Sequence, residues 1–397
     1  MAKIDELLKE LCPGDVKSCS IASLITRKTL KVNSFKSDID VYAVTNSQGF
    51  VLSKSLHDFE IFSDDLSNYN VVETDDFAYN PSRLNIGSIA LYKNDTVGAV
   101  SPMYIVFSVN KELAIPEYLM LCLRSYSVNH LIDSLKEVGA RFRFDFKKWN
   151  KIFIPLPPLP IQKHIVEVLD TFTDAISNLE EELALREKQF EYYREHLYQF
   201  DDECSIKTIK DISVKCFPGA TPSTKKPEYW QNGTIPWMSS GEIHQGQVKS
   251  IAGRITQLGY DSSSTKMVPI NSIVVALAGQ GKTRGTVAIT RMELCTNQSL
   301  CAIIPDQSIV VPEYLYFYLK GQYFNLRQVS AGDGTRGGLT LKHIESYKVP
   351  VISLDRQQEI VEILDTFEAM IANLKEEIAL RTKQYEYYRE KLLSFGK

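Results

Sequence analysis

The stretch Ile165–Phe200, IVEVLDTFTDAISNLEEELALREKQFEYYREHLYQF, returns as Ile360–Phe395, IVEILDTFEAMIANLKEEIALRTKQYEYYREKLLSF, at a constant offset of 195 residues. Roughly two-thirds of the positions are identical, so the chain contains an internal duplication. Each copy carries an unbroken 4-3 apolar repeat. In the first it runs Ile165, Leu169, Phe172, Ile176, Leu179, Leu183, Arg186, Phe190, Tyr193, Leu197 and Phe200, and the second keeps the same spacing from Ile360. An average spacing of 3.5 residues sustained over about five heptads predicts a coiled-coil helix with one narrow seam. At 1.5 Å per residue each such rod is about 50 Å long. Arg186 and its counterpart Arg381 are the only polar seam positions, a choice that tends to set register at some cost in stability. A long heptad helix usually serves as a homodimer stalk. Here both rods lie in one chain and each follows a domain-sized segment, so the simplest geometry pairs them within the chain.

The resulting order is domain (1–151), rod (152–204), domain (205–346), rod (347–397). Residues 1–151 and 205–346 read as diverged copies of one domain. Ile115-Pro-Glu-Tyr-Leu matches Val311-Pro-Glu-Tyr-Leu, each opening a helical stretch after an apolar strand, Met103–Phe107 and Leu300–Ile304. Ala140-Arg-Phe-Arg-Phe-Asp-Phe-Lys147 aligns with Thr335-Arg-Gly-Gly-Leu-Thr-Leu-Lys342, keeping an Arg and a Lys six apart. Short β runs at Val41–Val44, Ile89–Tyr92, Ile273–Leu277 and Thr286–Ile289 are separated by Gly, Asn, Asp and Ser turns. A proline-containing strand precedes each rod, and Asp355 three residues before Gln358 suggests a capping box for the second. The predicted fold is α+β: two domains of mixed α/β content separated by two long antiparallel coiled-coil helices, an internal repeat with pseudo-twofold symmetry.

Charge is unevenly spread over these segments. The net charge of the whole is −4, but residues 205–346 hold 15 Lys/Arg against 9 Asp/Glu, while residues 152–204 hold 4 against 12. The whole-chain pI is therefore a poor guide to partners, and the second domain is the basic one. No apolar run approaches a membrane span and the start MAKIDELLKELC has no signal-peptide core. The seven cysteines form no C-x-x-C pair and the six histidines have no metal-ligand spacing. A reduced, cytoplasmic protein without a metal is expected.

Taken in order, these features resemble the specificity (S) subunit of Type I restriction–modification systems over essentially the whole chain. The resemblance rests on the domain–rod–domain–rod order and the junctions IPLPPLPIQKHIVEVLD and VPVISLDRQQEIVEILD. Gly219-Ala-Thr-Pro-Ser-Thr224, Tyr229-Trp230, Gly233-Thr-Ile-Pro-Trp237 and the opening MAKIDELLKELCPGDV add to it. It implies a non-catalytic scaffold for double-stranded DNA. Its globular segments would be target recognition domains, each reading one half of a bipartite sequence. The rods would set the gap between halves and dock two methyltransferase (modification) subunits, which carry S-adenosylmethionine. Restriction subunits would complete the nuclease. Half-sites one duplex turn apart lie about 34–36 Å centre to centre, within the reach of such a rod. The alternative is a two-headed coiled-coil adaptor without DNA specificity.

Several residues are candidates for DNA contact. Thr221, Ser223, Lys225 and Lys226 occupy a Pro-rich loop whose hydroxyls, amides and ammonium groups suit phosphates. Ala276-Leu-Ala-Gly-Gln-Gly281-Lys282-Thr283 fits a relaxed nucleotide-binding loop, but a β run rather than a helix follows it. A glycine-rich hairpin presenting Lys282, Thr283 and Arg284 is the better reading, with a solvated turn as the plain one. Arg141, Arg143, Lys147 and Lys148 alternate with phenylalanines as on a strand with one basic face. Arg336 and Lys342 are their counterparts, and tethering of domain to rod is the structural alternative for all of these. Lys28, Lys31, Lys36 and Lys54 are the first-domain candidates. On the rods, Tyr192 and Arg194, repeated as Tyr387 and Arg389, are candidates for partner-subunit docking. No Asp/Asn-Pro-Pro-Tyr/Phe loop of an amino-methyltransferase is present.

Overall fold

The computed structural model describes residues 2–34, 39–46, 48–56, 65–135, 142–200, 204–279, 282–329 and 338–395. The heptad stretches form two long helices, Leu159–His196 and Leu354–Ser394. The first ends before Leu197 and Phe200, which leave the seam and pack instead on the core of the second domain. The second starts at Leu354, so Asp355 sits inside the first turn, where its charge favours the helix N-terminus, and not at the predicted cap.

The chain divides into two compact units, each taking half of both helices: Met1–Glu180 with Glu377–Lys397, and Glu181–Glu376. Within the first, Phe172 stacks on Tyr388 with ring centroids 5.3 Å apart. Within the second, Tyr193 stacks on Phe367 at 5.1 Å, and Glu187 pairs with Lys375 at 2.7 Å. As one helix steps back from 193 to 187 the other advances from 367 to 375, so the helices run antiparallel. The Tyr193–Phe367 stack is the Phe172–Tyr388 stack moved by the repeat offset with the partners exchanged. Seam residues Ile165, Leu169, Ile360 and Leu364 are fully buried, whereas the central seam positions are half-buried, as expected where only two helices meet. Arg186 and Arg381 bond within their own helices, each to the Glu four before and the Gln three after.

In the first unit Ile25–Lys28, Ile105–Val109, Phe77–Tyr79 and Ile89–Leu91 form an antiparallel sheet in that order. A second sheet orders Gly49–Leu52, Asp40–Thr45, Gly98–Val100 and Asn70–Val72. In the second unit the principal sheet orders Ser213–Pro218, Leu300–Pro305, Ile273–Ala276, Val287–Thr290 and Gln247–Val248. Its first four strands repeat the first sheet of the other unit. The apolar runs of Leu300–Pro305, Ile273–Ala276 and Val287–Thr290 fit strands covered on both faces, whereas Ser213–Pro218 at the sheet edge buries only Phe217. The helices Pro116–Leu123 and Pro312–Gly321 begin with proline, whose missing N–H is no loss in a first turn.

Each domain is fastened to its helix by one fully buried glutamine. Gln162 accepts the N–H of Ile115 (2.9 Å) and donates to the carbonyls of Leu113 (2.9 Å) and Pro157 (2.8 Å). Gln357 accepts the N–H of Val311 (2.8 Å) and donates to the carbonyls of Ile309 (3.1 Å) and Ile352 (2.8 Å). Beside each clamp a tyrosine hydroxyl, Tyr118 or Tyr314, donates to a proline carbonyl of the strand entering the helix, Pro155 or Pro350, at 2.9 Å. An amide suits because it accepts once and donates twice at one buried point, where a hydroxyl has a single proton to give.

Candidate nucleic-acid interface

One edge of the second unit's sheet gathers the ends of three strands: Pro218 pairs with Cys301, and Ala276 with Leu300. From this edge the loop 219–226 leaves. Its backbone is pinned from below, because Trp237 Nε1 and Thr265 Oγ1 both donate to the carbonyl of Ala220, at 3.0 and 2.8 Å. Trp230 Nε1 donates to the carbonyl of Ser223 at 3.0 Å, and the two indoles meet edge to face at 5.0 Å. A Cβ at Gly219 would lie 2.1 Å from the carbonyl oxygen of Thr296, so the loop turns there only with glycine. Ser223, Lys225 and Lys226 are exposed and Thr221 half-buried, its hydroxyl donating to Gln298. Lys226 Nζ donates to the Tyr229 hydroxyl at 3.0 Å and lies 4.9 Å from its ring centre. That hydrogen bond raises the lysine pKa and lowers the tyrosine's. Lys225 has no partner among the described residues.

The glycine-rich hairpin rises from the same edge. Leu277 N–H donates to the carbonyl of Ser299 at 2.8 Å, next to the Gln298 that Thr221 engages. Lys282 is exposed while its carbonyl is held by Tyr323 Oη and Thr286 Oγ1, both at 3.0 Å. Thr283 Oγ1 lies 3.4 Å from His244 Nε2. Arg284 is half-buried, and its carbonyl accepts from Arg327 Nη1 at 3.1 Å. Of the three hairpin candidates Lys282 is the exposed one, with Thr283 and Arg284 half-buried. After the turn the chain enters the strand Val287–Thr290, so a nucleotide-binding loop lacks the helix N-terminus that its phosphates require.

In each unit the segment that leads towards the long helix passes close to the sheet. Leu339 N–H donates to the carbonyl of Leu277 at 2.9 Å, and exposed Lys342 follows on the short helix Leu341–Glu345. Phe144 N–H, at the equivalent place, donates to the carbonyl of Pro81 at 2.8 Å. The expected strand with a basic face is not there. Residues 142–145 are extended without a sheet partner and Phe146–Lys151 is a 3-10 helix, because Phe144 and Trp149, 4.7 Å apart, both insert into the core. Arg143 and Lys147 face solvent, Arg143 beside Asp145 at 3.6 Å. Lys148 turns back and donates to the carbonyls of Leu135 and Arg143, both at 3.2 Å, contacts within the domain and not to the long helix. Arg141, Arg336 and Lys36 lie outside the described residues.

The other first-domain candidates are mostly engaged internally. Lys28 pairs with Asp76 at 2.7 Å and also with Glu73. Burial alone would lower its pKa, but the hydrogen bonds and charges of these carboxylates raise it. Lys31 donates to Asn70 Oδ1 (2.7 Å) and the carbonyl of Asn68 (2.9 Å). Lys54 is exposed on the one-turn helix Ser53–Leu56. On the long helices Tyr192 and Tyr387 point outward, 57% and 60% exposed. Arg194 and Arg389 do not: their side chains are 11% and 15% exposed, paired with Glu191 and Glu390 and laid over the rings of Phe190 and Tyr385. Of the docking candidates only the tyrosines are exposed.

Sequence reasoning missed Gln298, which Thr221 engages, Asn297 beside it, and exposed Lys266, whose ammonium lies 5.4 Å from the Phe217 ring centre. The signal for the first two was a short polar turn, Thr296-Asn-Gln-Ser299, between two buried strands. Among the described residues no cluster of His, Cys, Asp and Glu suits a metal, and no helix is long and apolar enough to cross a membrane. Burial pushes the thiols of Cys122 and Cys295 up to about 12, which removes them as nucleophiles.

Two copies of one domain, each seated on half of an antiparallel helix pair and each carrying exposed cations beside its sheet, define a duplicated recognition scaffold. The family model described as "Type I restriction modification DNA specificity domain" matches twice, over residues 21–186 and 202–380, and the chain belongs to that family. It is 38% identical over 260 residues to the specificity subunit of the type I restriction enzyme EcoR124I/EcoR124II of Escherichia coli, covering 62% of this chain and 64% of that protein. A putative type I specificity subunit of Mycoplasma pneumoniae is 27% identical and matches 94% of this chain and 93% of its own length. The solved S subunit of a Type I restriction–modification system from M. genitalium has the same fold, with a TM-score of 0.59 at 15% identity over 95% of this chain and 96% of that one.

Proposed function

We propose that the chain is the sequence-reading subunit of a Type I restriction–modification complex. Each recognition domain reads one half of a bipartite double-stranded DNA target. The paired helices set the gap between halves and dock two methyltransferase subunits, with Tyr192 and Tyr387 on the docking faces. The observation that carries this reading is the double match to a DNA specificity domain, once on each unit, with exposed basic residues beside the sheet of each. Methylation, with S-adenosylmethionine, and cleavage belong to the partner subunits. Within the second domain Lys225, Lys226, Lys282 and Lys342 hold phosphates, and the exposed amide of Gln298 meets a base edge.

The test is methylome sequencing of cells expressing this chain with its methyltransferase, followed by binding of the purified pair to the modified sequence at rising salt. A bipartite motif and a steep salt dependence are expected. Salt-insensitive binding, or none, would return the adaptor reading. Deleting one heptad from each long helix should shorten or abolish the tolerated gap, and an unchanged motif in that variant would refute the spacing role.

A further inference from the structure

Both units fasten domain to helix with a buried glutamine, but the second adds another tier. Glu368, on the second long helix, accepts hydrogen bonds from Lys320 Nζ (2.6 Å) and Tyr316 Oη (3.2 Å) at one oxygen. Its other oxygen accepts from Gln247 Nε2 at 2.7 Å. Gln247 Oε1 in turn accepts from Arg291 Nε at 3.2 Å, and Arg291 Nη1 bridges Asn271 Oδ1 (2.7 Å) and Glu313 Oε1 (2.6 Å). One carboxylate on the rod therefore gathers three parts of the domain. They are the edge strand Gln247–Val248, the helix Pro312–Gly321 and, through Arg291, the end of the strand Val287–Thr290.

Among the described residues the first unit has no such carboxylate at the matching place; the helix carboxylate that reaches its domain is Glu390, which accepts the N–H of Tyr126 at 3.0 Å. Thr173 stands at the matching helix position and its hydroxyl donates to the carbonyl of Asp170 in its own helix, at 2.9 Å. Met120 stands where Tyr316 does. Partly buried ionic clusters add little net stability over apolar packing, because desolvation offsets the attraction. What they do add is direction, since charge-assisted hydrogen bonds are short and angle-dependent. A lock of this kind, built on the second domain and not at the matching place on the first, is suited to fixing an angle.

We propose that Glu368 is a positioning residue: it fixes the orientation of the second recognition domain on the helix pair and so the spacing at which the second half-site is accepted. This rests on the DNA-reading function proposed above. The test uses the full chain with its methyltransferase partner and duplexes carrying the native gap or a gap one base pair longer or shorter. Competition binding gives gap discrimination, and duplexes with single substitutions in each half-site give base preference. Glu368→Ala should retain base preference at both half-sites and lose gap discrimination by about tenfold, the scale of one charge-assisted hydrogen bond. Tyr316→Phe and Gln247→Ala, each removing one of the bonds to Glu368 (the second also the bond from Arg291), should give smaller losses in the same direction and keep the test open if Glu368→Ala folds poorly. Thr173→Ala should leave the profile unchanged. Wild-type gap discrimination in these lock variants, or gap and base discrimination falling together with thermal stability, overturns the proposal. A wild-type chain indifferent to both gap and bases overturns the DNA-reading function itself, and the proposal with it.

Discussion

Replacing Gln357 with alanine isolates the clamp that seats the second domain. The side chain is fully buried and satisfies three backbone groups on two loops, the N–H of Val311 and the carbonyls of Ile309 and Ile352. Truncation leaves all three without the amide. A buried polar group left unpaired costs about 1–3 kcal/mol, and the two carbonyl residues, only partly buried, recover some of this from water. A loss of about 3 kcal/mol follows, equivalent to a fall of about 1 M in the urea midpoint for a slope near 3 kcal/mol/M. The tryptophans make the assay local: Trp149 lies in the first unit, Trp230 and Trp237 in the second. In a Trp149→Phe background, fluorescence on urea titration follows the second unit alone. Gln357→Glu should be at least as damaging as alanine at neutral pH, since a carboxylate cannot donate to the two carbonyls. A midpoint unchanged within about 0.5 kcal/mol would refute the reasoning, showing that the loops close without the amide.

Three further outcomes follow from the charged residues. Lys225→Ala with Lys226→Ala should lower the slope of log affinity against log salt by nearly 2, at about 0.9 for each phosphate no longer neutralised; an unaltered slope removes both lysines from the DNA. Lys28→Met should destabilise the first unit by about 3 kcal/mol by stranding the buried Asp76 carboxylate, with no change in that slope. Glu368 gives a pH dependence with a definite sign. Burial acts to raise its pKa, but the charge of Lys320 and hydrogen bonds from Lys320, Gln247 and Tyr316 outweigh it and hold the group below its ordinary 4.5. The stabilisation is therefore complete above the unfolded value and lost as pH falls through the folded one. Glu368→Gln should flatten the decline in melting temperature on acidification below about pH 5.

The helices were legible because their signal is periodic and long: the heptad seam gives two long helices and most of their facing positions, while the intrachain antiparallel pairing was expected from the domain–rod–domain–rod order. The inner sheet strands were legible as apolar runs between turns, while the more polar edge strands Ile25–Lys28 and Ser213–Pro218 were not. The basic edge was only half legible. Lys225, Lys282, Arg143, Lys147 and Lys342 reach solvent as expected, but their neighbours do not follow from residue type. Lys148 and Arg194 carry the same charge as Lys147 and differ only in which carbonyl or carboxylate lies beside them. The alternation around Phe142–Phe146 has the period of a strand. Trp149 decides otherwise, by drawing Phe144 into the core and winding the next residues into a 3-10 helix. Gln162 and Gln357 were invisible for a related reason, since a glutamine in a polar helix start reads as solvated until the loops it holds are in place.

The unequal divergence of the repeat has a physical origin in the way the helices pair. An antiparallel partner that is one's own copy uses every contact twice, so Phe172 must suit Tyr388 while its counterpart Phe367 suits Tyr193. A seam residue is constrained from both directions, and a change acceptable in one copy also has to fit the other copy's surface. The clamp is constrained in the same way, because Gln162 and Gln357 each answer three fixed backbone groups. The loops at the sheet edge meet neither the seam nor the clamp. Their side chains point to solvent, and only the pinned backbone beneath them, held by Trp230 and Trp237 in the second domain, has to persist. Recognition can therefore change in one domain without disturbing the scaffold that carries both, which a reader of two unrelated half-sites requires.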